Sequence, residues 1–414
     1  MTRQTVRQVL ATPALAAGCC FTIILIAGMC AEFVPTAWQG NWTDHIVARQ
    51  PHFIDRFFPF DAVWYQRIAT DGYVWDAAQP GLKQDVAFFP LWPLVLRLDA
   101  FCTRSVGVAR VATVLLSGAF ATASIVAFHV LALRLLPQQP ARTATFLFAL
   151  YPGASFLLLS YPTGLMNLLV ILALLALLAD RFFVAAALAG LVTAIGPLGL
   201  GTALAVSACA ALHAARQGAH RDVAPWRRPV WLAGIAALSV GGLIAFLLWQ
   251  WAVLGDPFAF IKAQAAWAVP LPWAQRIPRA ILQALILPDF IAAARELGHA
   301  TKAHGAVALQ ASLEKALHLA AEGGEIVAIL ACARFAPRPL KLQGAFTMAL
   351  FIWFHSASRP GNSTLRLTYC IIGIFCGVAW LLRDRPRLAA CAIGLSATML
   401  ACAAFLQNAG YHVV

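Results

Sequence analysis

Apolar residues run in blocks too long for a soluble core, and polar positions gather between the blocks. A membrane-crossing helix needs about 20 predominantly apolar residues, and fewer where short or broken helices pack within protein. By that measure about eleven segments read as spans: roughly 14–35, 107–136, 143–160, 163–179, 182–196, 198–213, 230–254, 316–334, 342–356, 365–382 and 388–407. The first follows Arg3 and Arg7, and its length reads as a span rather than a cleaved leader. Residues 182–213 form one apolar stretch interrupted at Ile195-Gly196-Pro197-Leu198-Gly199, where proline and glycine break a helix. One kinked span or two short ones would fit the pattern alone.

Charge separates these readings. Basic residues concentrate in cytoplasmic loops. Arg3 and Arg7, Arg134 and Arg142, Arg181, the cluster Arg216, Arg221, Arg227 and Arg228, the run Arg334, Arg338 and Lys341, and finally Arg383, Arg385 and Arg387 all fall on one side only if 182–213 crosses twice. The expected topology is N-terminus inside and C-terminus outside, with two outer loops over roughly 36–106 and 255–315. Both loops are richer in polar, charged and aromatic residues than the spans. Amphipathic runs such as Phe258 to Trp267 predict helices lying along the membrane surface.

Composition agrees with a bilayer as solvent. The chain is 61% hydrophobic and 11% charged, against roughly a quarter charged in soluble domains. The net charge of +13 belongs to the inter-span loops, so it is a topology signal, and no nucleic-acid partner is expected. Ten cysteines lie mostly within apolar runs without a C-x-x-C pair. They read as small buried residues, not as a disulfide framework or zinc site. The fold class expected is all-α: a polytopic transmembrane helical protein, a single domain over residues 1–414.

Candidate chemistry sits in the first outer loop. Asp61 precedes a helix-like run in which Trp64, Tyr65 and Ile68 recur at helical spacing. Taken alone, Asp61 could cap that helix or carry function. The run Asp61, Tyr65, Ile68, Ala69, Gly72, Tyr73 is followed by Ala87-Phe88-Phe89-Pro90-Leu91 and Pro93. This stretch resembles the family of the second mannosyltransferase of glycosylphosphatidylinositol assembly and its bacterial relatives, with Phe60 where the family has tryptophan. Weaker likeness continues through Ser155-Phe156 to Ser160-Tyr161, Gly255-Asp256-Pro257-Phe258-Ala259-Phe260 with Gln264 and Trp267, and Ser363 to Tyr369 with Arg366. Two departures stand out. Pro162 and Thr163 follow Tyr161 where the family has a glutamate, and Gly196 stands where it has an arginine.

The resemblance implies a C-type glycosyltransferase. Such an enzyme moves a sugar, mannose by family expectation, from a polyprenyl-phosphate donor to a glycolipid, polysaccharide or protein acceptor on the non-cytoplasmic face. A bacterial inner membrane is the expected location. The reaction needs a carboxylate to take the proton of the attacking hydroxyl and cations to hold the phosphate as charge grows on it. Asp61 fits the base by motif position. Asp85 and Asp71 are alternatives, and Asp85 could also assist through a divalent cation, Mg or Mn, although no metal site or cofactor is required by the pattern. Arg366, Arg359, Lys262 and His355 are the phosphate-binding candidates, Arg366 with motif support. Trp64, Tyr65, Tyr73, Phe88, Phe89 and Trp267 are candidates to line the lipid groove or stack on sugar, against the plainer reading of an interfacial aromatic belt. Glu322 and Glu325, three apart in a predicted span, share a face turned to a wet cavity. A transporter or flippase, or a non-catalytic membrane partner that keeps the fold, are the competing readings. No internal repeat supports the first, and the two departures keep the second open.

Overall fold

The computed structural model describes residues 3–33, 53–79, 82–103, 106–217, 227–264, 266, 329–355 and 364–410. Among the described residues every regular element is helical. The helices are α1 (Arg3–Cys30), α2 (Ala62–Asp71), α3 (Leu91–Thr103), α4 (Val106–Leu135), α5 (Gln138–Ala149), α6 (Thr163–Leu178), α7 (Phe182–Thr193) and α8 (Gly199–Gln217). They continue with α9 (Arg227–Ser239), α10 (Gly241–Leu254), α11 (Ala259–Gln264), α12 (Arg338–His355), α13 (Thr364–Thr368), α14 (Gly373–Leu381) and α15 (Pro386–Asn408).

Among the described residues, three segments are long and apolar enough to cross a membrane: Leu10–Phe33, Ala109–Leu135 and Pro386–Asn408. They leave large apolar side chains uncovered. Leu115 is 69% exposed, and Leu15, Met29 and Leu395 are exposed as well. Such side chains along whole helices have lipid as their only favourable neighbour. The protein is a membrane protein. The buried core draws residues from Ala16 to Ala404 into one cluster.

The remaining predicted spans are short, bent or broken. The segment 230–254 is α9 and α10, bent by 63° at Val240. Residues 143–160 are not one helix. α5 ends at Ala149, and a tight 3-10 turn over Pro152–Leu157 follows. Pro152 and Gly153 break the helix there. A Cβ at 153 would collide with the backbone carbonyl of Leu365, so only glycine lets the turn approach α13. Residues 365–382 divide into α13 and α14 at 369–372. Non-helical backbone at membrane depth survives only where protein satisfies its polar groups. Gln343 on α12 donates its Nε2 to the Cys370 carbonyl at 2.9 Å, and the buried Tyr369 hydroxyl donates to the Phe148 carbonyl at 2.8 Å. Of 316–334, only 329–334 is described, and it is helical. Glu322 and Glu325 lie outside the described residues.

The apolar stretch 182–213 divides at 194–198 into α7 and α8, which pack against each other instead of forming one rod. α6, α7, α8 and α9 form the heart of the bundle, α4 packs on α6, and α1 packs on α15. Small residues set the closest approaches, as they do between membrane helices. A Cβ on Gly190 of α7 would strike the Leu238 carbonyl of α9, and a Cβ on Gly242 of α10 would strike the Gly190 carbonyl of α7.

Candidate functional site

The segment from residue 53 to α2 is fastened across one end of the bundle. Arg56 donates Nη1 to the Asn408 carbonyl at 2.6 Å, beside the end of α15. Arg110 at the start of α4 pairs with Asp55 at 2.5 Å. The Ser160 amide donates to the Phe57 carbonyl at 2.8 Å, and the Leu91 amide donates to the Ala194 carbonyl at 3.0 Å. α2 then lies over this end with Ala62, Tyr65, Ile68 and Ala69 buried, as its amphipathic period predicts.

Asp61 opens α2 but does not cap it through its side chain. Its carboxylate turns elsewhere: Oδ2 accepts from Arg366 Nη1 at 2.7 Å, across 305 residues of sequence. Both side chains are about four-fifths buried. Phe60, just before Asp61, takes a left-handed φ of 49°. That backbone is unfavourable for a residue with a Cβ and is characteristic of constrained sites.

Tyr161 joins the two partners. Its hydroxyl accepts from the Asp61 amide at 3.0 Å and donates to the Pro59 carbonyl at 3.2 Å. The guanidinium of Arg366 lies over the Tyr161 ring at 5.2 Å and over Phe156 at 5.6 Å. Burial first, then the charge of Asp61, pushes the Tyr161 phenol well above its ordinary pKa, so it stays a neutral O–H. The broken segment 150–162 thus delivers a hydrogen bond to the Asp61 backbone and a platform for Arg366.

The aromatic candidates divide. Phe88 stacks on Trp64 at 5.8 Å and meets Tyr65 edge-on at 5.3 Å, while Tyr65 meets Tyr161 at 6.0 Å. These rings adjoin the Asp61–Arg366 pair. Tyr73 donates its hydroxyl to the Phe88 carbonyl at 2.9 Å. Phe89 turns away to pack on Phe246 and Phe260. Trp267 lies outside the described residues.

Asp85 is buried, with 1% of its side chain exposed. Oδ1 accepts from the Val74 amide at 2.8 Å, and Oδ2 is 3.8 Å from Arg67. Burial raises its carboxyl pKa, opposed by the Val74 hydrogen bond and by Arg67. These contacts hold the 72–88 loop closed upon itself. Asp71 is exposed at the end of α2.

α11 docks on residues 85–87. Gln264 donates Nε2 to the Ala87 carbonyl at 3.0 Å, and Ala259 and Ala263 of α11 pack on Val86 and Ala87. Lys262 is engaged by Asp256 at 2.6 Å, and that hydrogen bond holds the Asp256 carboxyl below its usual pKa. Arg359 lies outside the described residues, and His355 closes α12 with its side chain outside the description. Among the described residues, no group of three His, Cys, Asp or Glu comes together to hold a metal ion, so the divalent cation finds no donor set there.

Sequence reasoning missed Tyr161 and Phe156 as site residues. Their one signal was the Ser155 to Tyr161 likeness, which bears on position and not on contact. Gly196 and Thr163 occupy the two departures. A Cβ at Gly196 would meet open space, and Thr163 is buried at the start of α6.

A family model described as mannosyltransferase (PIG-V) matches residues 44–254. No curated protein matches the chain in sequence. Among solved structures, an Archaeoglobus fulgidus oligosaccharyltransferase in the apo form is similar with a TM-score of 0.49 and 13% identity, covering 100% of this chain and 57% of its own. The archaeal oligosaccharyltransferase AglB from Archaeoglobus fulgidus, in complex with an inhibitory peptide and a dolichol-phosphate, gives a TM-score of 0.43 and 14% identity over the same shares. The chain therefore spans 57% of the length of these structures.

Proposed function

The chain belongs to the mannosyltransferase (PIG-V) family, and we propose that it is a membrane glycosyltransferase, a single domain over 1–414 that moves a hexose, mannose by family, from a polyprenyl-phosphate donor to a lipid-linked, polysaccharide or protein acceptor. The carrying observation is the buried Asp61–Arg366 pair at 2.7 Å. It brings the motif carboxylate against the one phosphate-binding candidate that the motif also supports.

In this reading Asp61 is the general base. It takes the proton of the acceptor hydroxyl as that oxygen bonds to the anomeric carbon. The bond from that carbon to the phosphate oxygen breaks, and the electron pair leaves with the polyprenyl phosphate. Direct displacement inverts the anomeric centre. Arg366 opposes the growing phosphate charge. A guanidinium carries five N–H donors in a planar fork, so one arginine can align a carboxylate with one edge and hold a phosphate with another. The Tyr161 and Phe156 rings keep that plane in place. Trp64, Tyr65 and Phe88 flank the pair and are suited to a sugar face or a prenyl chain. Asp85 acts by holding the loop that carries Phe88.

The reaction face is proposed to be non-cytoplasmic, in a bacterial inner membrane, with the N-terminus inside and the C-terminus outside. Support comes from the gathering of the ends expected outside. Residues 53–61, 91, 160–161, 194 and 408 bond to one another at one end of the bundle.

The test is transfer of radiolabelled sugar from a polyprenyl-phosphate mannose donor by membranes carrying wild type or Asp61→Asn. Loss of the base should slow transfer by about 10²–10⁴-fold. Equal transfer by both would overturn Asp61 as the base, and no transfer by wild type would favour the non-catalytic partner that the departures at Thr163 and Gly196 keep open.

A further inference from the structure

The end of the bundle away from Asp61 holds a cavity of about 420 Å³. α6 measures the separation. Its Thr163 end adjoins Tyr161, its Leu178 end adjoins the cavity, and its 16 residues span roughly 24 Å at 1.5 Å per residue. The cavity therefore belongs to neither the proposed site nor its loops.

Two cations from different helices line it: Arg216 in the last turn of α8 and Arg338 in the first turn of α12. α8 and α12 pack closely along their lengths. Asp180 is the acid at the rim, 3.9 Å from His213. Two arginines against one aspartate leave an excess of positive charge. The remaining wall is apolar, from Leu177, Phe182, Leu212 and Pro339. Two arginines beside an apolar wall match a ligand with an anionic head and a hydrocarbon body.

We infer that this cavity binds the phosphate headgroup of an anionic phospholipid. Arginine meets phosphate oxygens with two parallel N–H donors. Basic pockets between membrane helices at the cytoplasmic surface suit such headgroups, and the loop charges place this end in that leaflet. Asp180, with His213, accepts from headgroup hydroxyls and disfavours a bare dianion. The glycerol and the first acyl carbons lie on Phe182 and Leu212.

The experiment uses the full chain purified in mild detergent, with retained phosphatidylglycerol and phosphatidylcholine measured by native mass spectrometry. Wild type should retain phosphatidylglycerol preferentially. Arg216→Gln with Arg338→Gln should weaken retention by about tenfold or more, the worth of a lost charge-assisted contact. Leu212→Glu keeps both arginines and adds a carboxylate at an already exposed position. It should weaken retention similarly, and it decides the matter if the double variant does not fold. Equal retention of phosphatidylcholine, or unchanged retention in the variant that folds, would overturn the inference. Displacement of the lipid by millimolar inorganic phosphate would assign the cavity to a soluble phosphate and also overturn it.

Discussion

Tyr161 links the broken segment 150–162 to the charge pair through one hydroxyl. Tyr161→Phe keeps the platform under Arg366 but removes the acceptor for the Asp61 amide and the donor to Pro59. Each such bond is worth about 1 kcal/mol net, so thermal stability should fall modestly. Sugar transfer should fall in kcat with donor KM little changed, because the lost bond orients the base and not the phosphate. Asp85 allows a prediction with pH in it. Its carboxyl pKa is raised in the fold. The protonated form is therefore favoured, and stability is lost as pH rises through the folded pKa. Asp85→Asn keeps an acceptor for the Val74 amide and sheds the charge. Melting of the variant against wild type should show equal or greater stability at pH 7.5, with the difference shrinking toward pH 4. Retained transfer by this variant would agree with a positioning role. Lost transfer at full stability would instead return Asp85 to the catalytic candidates. Asp61 and Arg366 were legible in the chain only as separate motif positions. Nothing in the sequence between them, 305 positions apart, encodes that they touch, and Tyr161 carries no local sign that its ring would lie under a guanidinium.

At the scale of elements, helix existence was legible and helix continuity was not. Periodicity separated α2 from the spans because one of its faces is polar. It could not separate α13 from α14, because 369–372 is as apolar as the helices around it. The partner that satisfies the break, Gln343, lies far away in sequence. Pro152-Gly153 did announce the other break, but an apolar count over 143–160 ran through it. Close helix approaches give a sharper test. Gly242→Ala sets a methyl group against Gly190 and Ala194, and overpacking of this kind costs about 1–3 kcal/mol. Gly394→Ala, within α15, meets nothing within 4 Å and should gain up to about 1 kcal/mol of helix propensity. Thermal unfolding of both variants in detergent should move them in opposite directions. Gly196→Arg belongs beside them. Its Cβ meets open space in the α7–α8 turn, so the variant should melt like wild type despite the added charge.

For the whole molecule, the loop charges and the packing bear on the same stretch, 182–213, by separate routes. The charges alone required 182–213 to cross twice, since a single crossing would put Arg227 and Arg228 on the outer side. The packing of α7 against α8 is what a fold-back requires, and the Ala194 turn then meets Leu91 at the start of α3. The docking of α11 on residues 85–87 joins the described parts of the two segments expected outside into a single surface, which neither segment's composition announced, because each reads as an independent amphipathic stretch. If this surface and the Arg383–Arg387 turn lie on opposite faces, single cysteines at Ala77 and at Asp384, both exposed, should react with an impermeant maleimide from opposite sides of intact cells or inverted vesicles. The background for this test needs Cys30 and Cys391, the exposed cysteines among the described residues, and Cys102 replaced by serine. Labelling of both positions from the same side would break the topology and move the proposed reaction to another face. Opposite labelling with Ala77 outside would put the Asp61–Arg366 pair where a lipid-linked sugar is consumed beyond the cytoplasm, and the arginine-lined cavity in the inner leaflet.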